Sequence, residues 1–390
     1  MERAYWLAWS NIKDVGPVLI KRLHERFGSL ELAWQASPAD LLAVDGIGLV
    51  IADHIREVRS HLNPEQLLEK HEAQCPNFWT PADTDYPKLL WEIPDPPPAL
   101  YYRGPFRPNN SPSLTVAMVG TRHPSTYGRR WTHRLSRCLS QHKITIASGL
   151  ANGIDTCAHQ SCLDNHGQTI AVLGTGVDVV YPRSNAKIYQ RILETGLIVS
   201  EYPDGTPPDR GHFPRRNRII AGLSHATLVT EAPKKSGALI TAYLANDYGR
   251  HVYALPNSLD NHTGEGCLAL INTGAAIILG EDPLVKELLN IGIANRTITK
   301  PTINSDTTAA NNTTQSSLSN ATQTKPDDTP AIELDIALQQ LLHVIPDVPI
   351  SLDNLVKATQ LDTSALLSGL LQLELAGVIT QLPGGQYQRT

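Results

Sequence analysis

The chain has 390 residues, 41% of them hydrophobic and 18% charged, with a formal net charge of −5. Its length exceeds one ordinary domain, so two or three are expected, and its composition is that of a soluble globular protein. The mildly acidic total excludes a globally basic nucleic-acid coat, so any polyanion site must be a local patch. Five cysteines, none in a C-x-x-C pair, argue against a zinc site or a disulfide framework and favour a reducing compartment. The start, Met1 to Trp6, lacks a long apolar segment of the signal-peptide type, and no apolar run is long enough to span a bilayer. The expectation is a cytoplasmic protein with no membrane partner.

Residues 1–70 read as an all-helical domain. Leu19, Ile20, Leu23 and Phe27 recur at helical spacing, with Gly28 as a stop. Two hairpin-like turns stand out, Val15-Gly16-Pro17 and Val44-Asp45-Gly46-Ile47-Gly48, and the second, followed by a helix from Leu49 to Val58, has the pattern of a helix-hairpin-helix. Such glycine turns leave backbone N–H groups free to face a phosphate, and the same turns also serve for packing alone. Residues 71–113 are Pro-rich and irregular, with one short strand at Leu100–Gly104, and read as a connector.

From residue 114 to 293 strands and helices alternate. Candidate strands are Val116–Gly120, Ile144–Ala147, Thr169–Leu173, Ile198–Ser200, Ala226–Glu231, His251–Ala254 and Ala276–Leu279. Helical runs lie between them at Ser125–Gln141, Asn152–Asn165, Ser184–Thr195, Arg215–Leu223, Ser236–Tyr248 and Glu265–Asn272. This is the pattern of an α/β domain with a Rossmann-like, doubly wound parallel sheet. Its ligands are expected at the carboxyl ends of the strands, at a topological switch point. Residues 294–330 are rich in Thr, Asn and Ser and read as a disordered linker. Residues 331–390 read as three helices and a hairpin around Gly384-Gly385, a winged-helix pattern. Its third helix carries Asp362, Gln372 and Glu374 and almost no cation, a balance that favours protein interaction over groove reading.

The chemistry-bearing residues cluster at the predicted strand ends. In His212-Phe-Pro-Arg-Arg-Asn-Arg218 three arginines fall within four positions beside an aromatic ring. That suits phosphates and a stacked base, or else a solvated first helical turn. Gly120-Thr-Arg122 joins a close-approach glycine to a guanidinium fork, and Arg183 adds charge at the same edge. Ser236-Gly237 opens a helix, where the hydroxyl serves either a phosphate or an ordinary N-cap. Asp155 and His159 share a helix face and read as structural rather than as metal ligands or an acid–base pair. No complete G-x-G-x-x-G, P-loop or nucleophile elbow is present, so the sequence assigns no cofactor, metal or catalytic residue.

These motifs, in their order, resemble the DprA (Smf) family of DNA-processing proteins. The carriers are Val119-Gly-Thr-Arg122, Ser148-Gly-Leu-Ala-Asn-Gly-Ile-Asp155 with His159, Gly176-Val-Asp-Val-Val-Tyr-Pro182, Ser200-Glu-Tyr-Pro203, Phe213 to Ser224, Glu231-Ala232 with Ser236-Gly237, and Thr273-Gly-Ala275. The resemblance implies a homodimer, not an enzyme. Such a dimer binds single-stranded DNA, protects it and hands it to the RecA recombinase during natural transformation. Carried over by motif, Arg122, Arg183, Phe213, Arg215, Arg216, Asn217 and Arg218 would line the DNA groove. Gly120, Ser148, Gly149, Ser236 and Gly237 would add backbone or hydroxyl contacts. Two positions depart from the family pattern: Pro256 is followed by Asn257 instead of Gly, and Gly266-Cys267 by Leu268 instead of Asn. The rival reading is a nucleotide phosphoribohydrolase of the lysine-decarboxylase-like group, whose Pro-Gly-Gly-x-Gly-Thr motif this chain lacks.

Overall fold

Proline and small capping residues set the helices of the N-terminal region in the computed structural model, which describes residues 2–110, 114–298 and scattered positions from 341 to 389. The first helices are α1 (Glu2–Ser10), α2 (Pro17–Phe27), α3 (Leu30–Gln35), α4 (Pro38–Leu42), α5 (Leu49–His61) and α6 (Pro64–Gln74). Proline opens α2, α4 and α6, where its missing N–H costs nothing. Ser29, Ser37 and Asn63 cap α3, α4 and α6 by accepting backbone N–H groups. Trp6, Trp9, Ile20, Leu23, Leu30 and Ile55 form the core beneath them. Lys21 Nζ donates to the carbonyls of Trp91 (3.1 Å) and Ile93 (2.8 Å), and Trp6 meets Trp91 edge-on at 5.8 Å. Met1–Ile303 accordingly forms one compact unit, with Asn304–Thr390 a second.

The stretch read as a connector contributes to the sheet. β1 (Phe78–Trp79) pairs antiparallel with β2 (Leu100–Arg103), and β2 pairs antiparallel with β6 (Leu197–Ser200). Between them α7 (Lys88–Trp91) buries Leu90, with Ile93 just beyond it. The prolines of this stretch break helix, yet they leave the short flanking apolar pairs free to extend the sheet edge.

The central strands are β3 (Thr115–Gly120), β4 (Thr145–Ser148), β5 (Thr169–Leu173), β7 (Ala226–Glu231), β8 (His251–Ala254) and β9 (Ala276–Ile277). The sheet order is β1-β2-β6-β5-β4-β3-β7-β8-β9, parallel from β6 through β9. β3 is flanked by β4 on one side and β7 on the other, so the winding direction reverses there. Val116, Met118, Ile146 and Leu228 pack under α8 (Thr126–Gln141), α9 (Ile154–Asp164) and α14 (Glu281–Ile298). Ala117, Val119, Val172 and Val229 pack with α11 (His212–Gly222), α12 (Gly237–Asp247) and α13 (Glu265–Asn272), while α10 (Ala186–Thr195) covers β5 and β6 through Tyr189 and Ile192. Helix α14 has no counterpart in the sequence reading, although Leu284, Val285 and Leu288 give it a buried helical stripe. It runs through Ile298, into the stretch read as linker.

The second unit shows a three-stranded antiparallel sheet of β10 (Ile350–Ser351), β12 (Gln386–Arg389) and β11 (Ile379–Leu382), in that order. Leu355, Leu366, Leu370 and Tyr387 form its core. The expected linker beyond 298, the turn at 384–385 and the polar residues Asp362, Gln372 and Glu374 lie outside the described residues. Among the described residues no helix is long and apolar enough to cross a membrane.

Candidate nucleic-acid interface

The loops that leave the carboxyl ends of β3, β4 and β5, with the first turns of α11 and α12, enclose a cleft of about 650 Å³. It lies at the winding reversal, where strand ends splay apart. Gly120 ends β3 at a place with no room for a side chain: a Cβ would stand 2.7 Å from the Glu231 carbonyl. The next loop is pinned by the buried Glu231 carboxylate. It receives the Ser125 amide (2.7 Å) and hydroxyl (2.6 Å), Thr263 Oγ1 (2.8 Å) and Asn261 Nδ2 (3.2 Å). Asn257, the departure noted above, accepts from Asn261 at 2.7 Å and so ties its own loop to the same carboxylate.

Cationic and aromatic groups face the opening. Arg122 and Arg210 line it and make no ion pair among the described residues. The Arg122 guanidinium stands 6.0 Å from the Phe213 ring centroid. Tyr181 stacks on the same ring at 5.3 Å with 28° between planes, and is itself 41% exposed. Ser236, Gly237 and the buried Thr241 also line the cleft. Ser236 Oγ accepts the Ala238 amide at 3.3 Å as an N-cap, and Asn217 Nδ2 donates to the Gly237 carbonyl at 3.2 Å.

Beneath the opening lie a buried arginine and a buried aspartate, Arg216 and Asp155. Arg216 donates to the carbonyls of Gly149 (2.8 Å) and Val172. Asp155 accepts the amides of Gly149 (3.1 Å) and Ala151 (3.4 Å). Burial lowers the Arg216 pKa to about 10, partly offset by Asp155, so the guanidinium stays charged at neutral pH. Burial pushes the Asp155 carboxyl up from its ordinary value, against the pull of Arg216 and the two amides. A side chain at Gly149 would sit 2.7 Å from the Asp155 carboxylate, so only glycine permits this packing. Farther in, His159 Nδ1 stands 2.7 Å from Thr169 Oγ1. Thr169 gives its own hydrogen to the Ile146 carbonyl (2.8 Å), so His159 Nδ1 is the donor. Desolvation lowers the His159 pKa to about 3, which keeps the ring neutral.

Not every residue expected at the groove stands there. Gly120, Arg122, Phe213, Arg216, Asn217, Ser236 and Gly237 line the cleft. Ser148 is fully buried and donates to the Met118 carbonyl at 2.6 Å, while Gly149 is buried with both backbone groups bonded inward. Arg218 points away into the protein, paired with Asp95 (3.3 Å) and Glu201. Arg215 is exposed, but it borders a second hollow shared with Gly16, Pro17 and Ile240. Arg183 is exposed on a short 3-10 turn outside the cleft lining. One helical turn explains the divergence: successive arginines of α11 project about 100° apart, so the run cannot face one ligand. The sequence reading missed Tyr181, Arg210 and Thr241. Tyr181 lies inside the motif from Gly176 to Pro182 quoted for the family resemblance, and only its contact with Phe213 shows its part.

Comparison with known proteins gives the family and the fold. The model of the family described as DNA recombination-mediator protein A matches residues 77–289. A DprA winged helix domain matches 325–385, and a helix-hairpin-helix motif 8–66. Protein Smf of Synechocystis is 47% identical over 100% of this chain and 99% of its own length. Protein Smf of Escherichia coli is 38% identical over 78% of this chain and 75% of its own. The X-ray structure of DprA from Streptococcus pneumoniae superposes with a TM-score of 0.61 at 33% identity, covering 74% of this chain and 98% of that one. DprA of Helicobacter pylori, solved for its single-stranded DNA binding mode, gives a TM-score of 0.50 at 33% identity over 55% of this chain and 96% of its own. With that family model spanning more than half of its length, the chain belongs to the DNA recombination-mediator protein A (DprA, Smf) family.

Proposed function

We propose that this protein binds single-stranded DNA in the cleft at the β3–β7 switch point and, as a homodimer, protects incoming strands and delivers them to the RecA recombinase. The observation that carries the reading is the wall formed by Arg122, Phe213 and Tyr181: a guanidinium with no ion pair among the described residues, beside two stacked rings, one half-buried and one exposed. Phosphates take the fork and a base takes the ring face, which is recognition without sequence preference. The single-stranded DNA binding of the Helicobacter pylori relative supports it. We read binding rather than catalysis, because Asp155, the carboxylate that lines the cleft, and Glu231 behind its loop are both bonded to internal donors. For the homodimer the supporting feature is the edge strand β9, unpaired on its outer side among the described residues, with Ile277 and the following Leu279 exposed.

Fluorescence anisotropy of labelled oligonucleotides over a salt series tests the binding. Single strands are expected to bind more tightly than duplexes, with affinity falling steeply as salt rises. Arg122→Ala should weaken binding and flatten the salt slope, and Phe213→Ala should cost about 1–3 kcal/mol. Unchanged affinity in both variants would sink the cleft assignment. Cleavage of nucleoside monophosphates by the purified chain would favour the hydrolase instead.

A further inference from the structure

Helix α8 carries its charge in an arrangement that its own stability does not favour. Arg129, Arg130, His133, Arg134 and Arg137 all stand exposed on one face, and the helix contains no acidic residue. Cations three or four positions apart repel one another, each such pair costing about 0.2–0.5 kcal/mol. Arg129 and Arg130 also lie near the amino end, where the helix dipole favours acids, and the last turn has no basic residue at all. Of the four arginines only Arg134 makes an ion pair among the described residues, with Glu281 at 2.5 Å, and Arg137 lies close enough to help hold that carboxylate's pKa down. The chain as a whole is acidic, so this face is a concentrated exception.

Aromatic rings are interleaved with the cations. Tyr127 and Trp131 lie half-buried, 6.3 Å apart. Arg130 lies 5.8 Å from the Tyr127 ring centroid and Arg134 4.4 Å from that of Trp131. A guanidinium laid on a ring keeps its N–H edge turned outward for an anion. The helix also follows the cleft wall directly in the chain: its cap, Ser125, comes two residues after His123, which with Arg122 lines the cleft.

We infer that the outer face of α8 is a second phosphate track, which takes the single strand as it leaves the cleft. This rests on the cleft reading and extends it. A strand is favoured over an acidic protein surface because the arginines run on from a site built for the same phosphodiester chemistry, with rings between them.

The test uses the full chain, with oligothymidylates of roughly 6 and 20 nucleotides, in a salt titration followed by anisotropy. Arg130→Ser with Arg137→Ser should leave the short oligonucleotide's binding unchanged. For the long one the slope of log K against log salt should fall by about 1.4, or about 0.7 for each single-strand phosphate that no longer meets a cation. Arg130→Lys with Arg137→Lys, which keeps the charge, should restore most of that slope. An unchanged slope on the long strand, or equal losses at both lengths, would overturn the track. An unchanged long-strand slope would instead leave the face to an acidic protein partner. An Arg122→Ala variant that binds the short strand like the wild type would overturn the cleft and not the track.

Discussion

A guanidinium buried in a protein must find acceptors for its donors, and Arg218 has found two carboxylates and a carbonyl. It reaches the Asp95 carbonyl at 2.6 Å as well as the carboxylates of Asp95 and Glu201. Removing it leaves Glu201, itself only 8% exposed, without its counter-charge. Arg218→Met is therefore expected to lower folding stability by about 3–5 kcal/mol, as read by urea denaturation. Arg122→Ala should leave the same melt near the wild-type value, so the two variants separate a structural arginine from a ligand-facing one. Residue type was legible here and direction was not. The run from Arg215 to Arg218 announced positive charge, but only the packing of α11 decides that Arg216 floors the cleft while Arg218 braces the region around Asp95. The same limit hid Tyr181, whose value comes from a ring in another part of the chain.

Contacts between elements set the response to acid. His159 of α9 donates to Thr169 of β5, in a fully buried seam. Its pKa is about 3 in the folded protein, against about 6.5 for an ordinary histidine. Between those values the unfolded chain binds a proton that the folded one does not, so stability falls as pH drops through that window. The loss between pH 7 and pH 5 is expected to be about 2 kcal/mol, measured by denaturant melts at the two values. His159→Gln should flatten that difference; an equal fall in the variant would assign the acid sensitivity elsewhere. At this scale the sequence was most readable. Short apolar runs between capped helical segments mark β3 to β8 within a few residues. Misses fell where local pattern is weak or overruled. β1 is two residues long and exists only through its pairing with β2, and α11 starts at His212, ahead of the expected Arg215, despite Pro214.

For the whole molecule, the nine-stranded sheet ends in β9, whose outer edge pairs with no strand among the described residues, with Ile277 at 44% and, just beyond it, Leu279 at 79% exposure. An apolar strand edge left in water invites another strand, and a second copy of the chain would cover it. Leu279→Arg is expected to convert a dimer to a monomer by light scattering at micromolar concentration, with short-strand binding retained. A wild-type chain that is already monomeric there would remove the homodimer from the proposed function. The doubly wound architecture itself was visible from the alternation of strands and helices, and with it the position of the cleft. The surface that meets a partner was not, because exposure of a leucine at a strand end depends on where the sheet stops.

The Glu231 carboxylate, placed between the start of α8 and the loop around Asn261, has a thermodynamic consequence. Its bonds to Ser125, Asn261 and Thr263 hold the Arg122 loop in one conformation before any ligand arrives. For the single strand proposed above, this loop needs no further ordering, so much of the conformational entropy lost on association belongs to the nucleic acid. The grip of such a site is set by the stiffness of what it holds, and flexible, unstacked strands are the ones it must work hardest to keep.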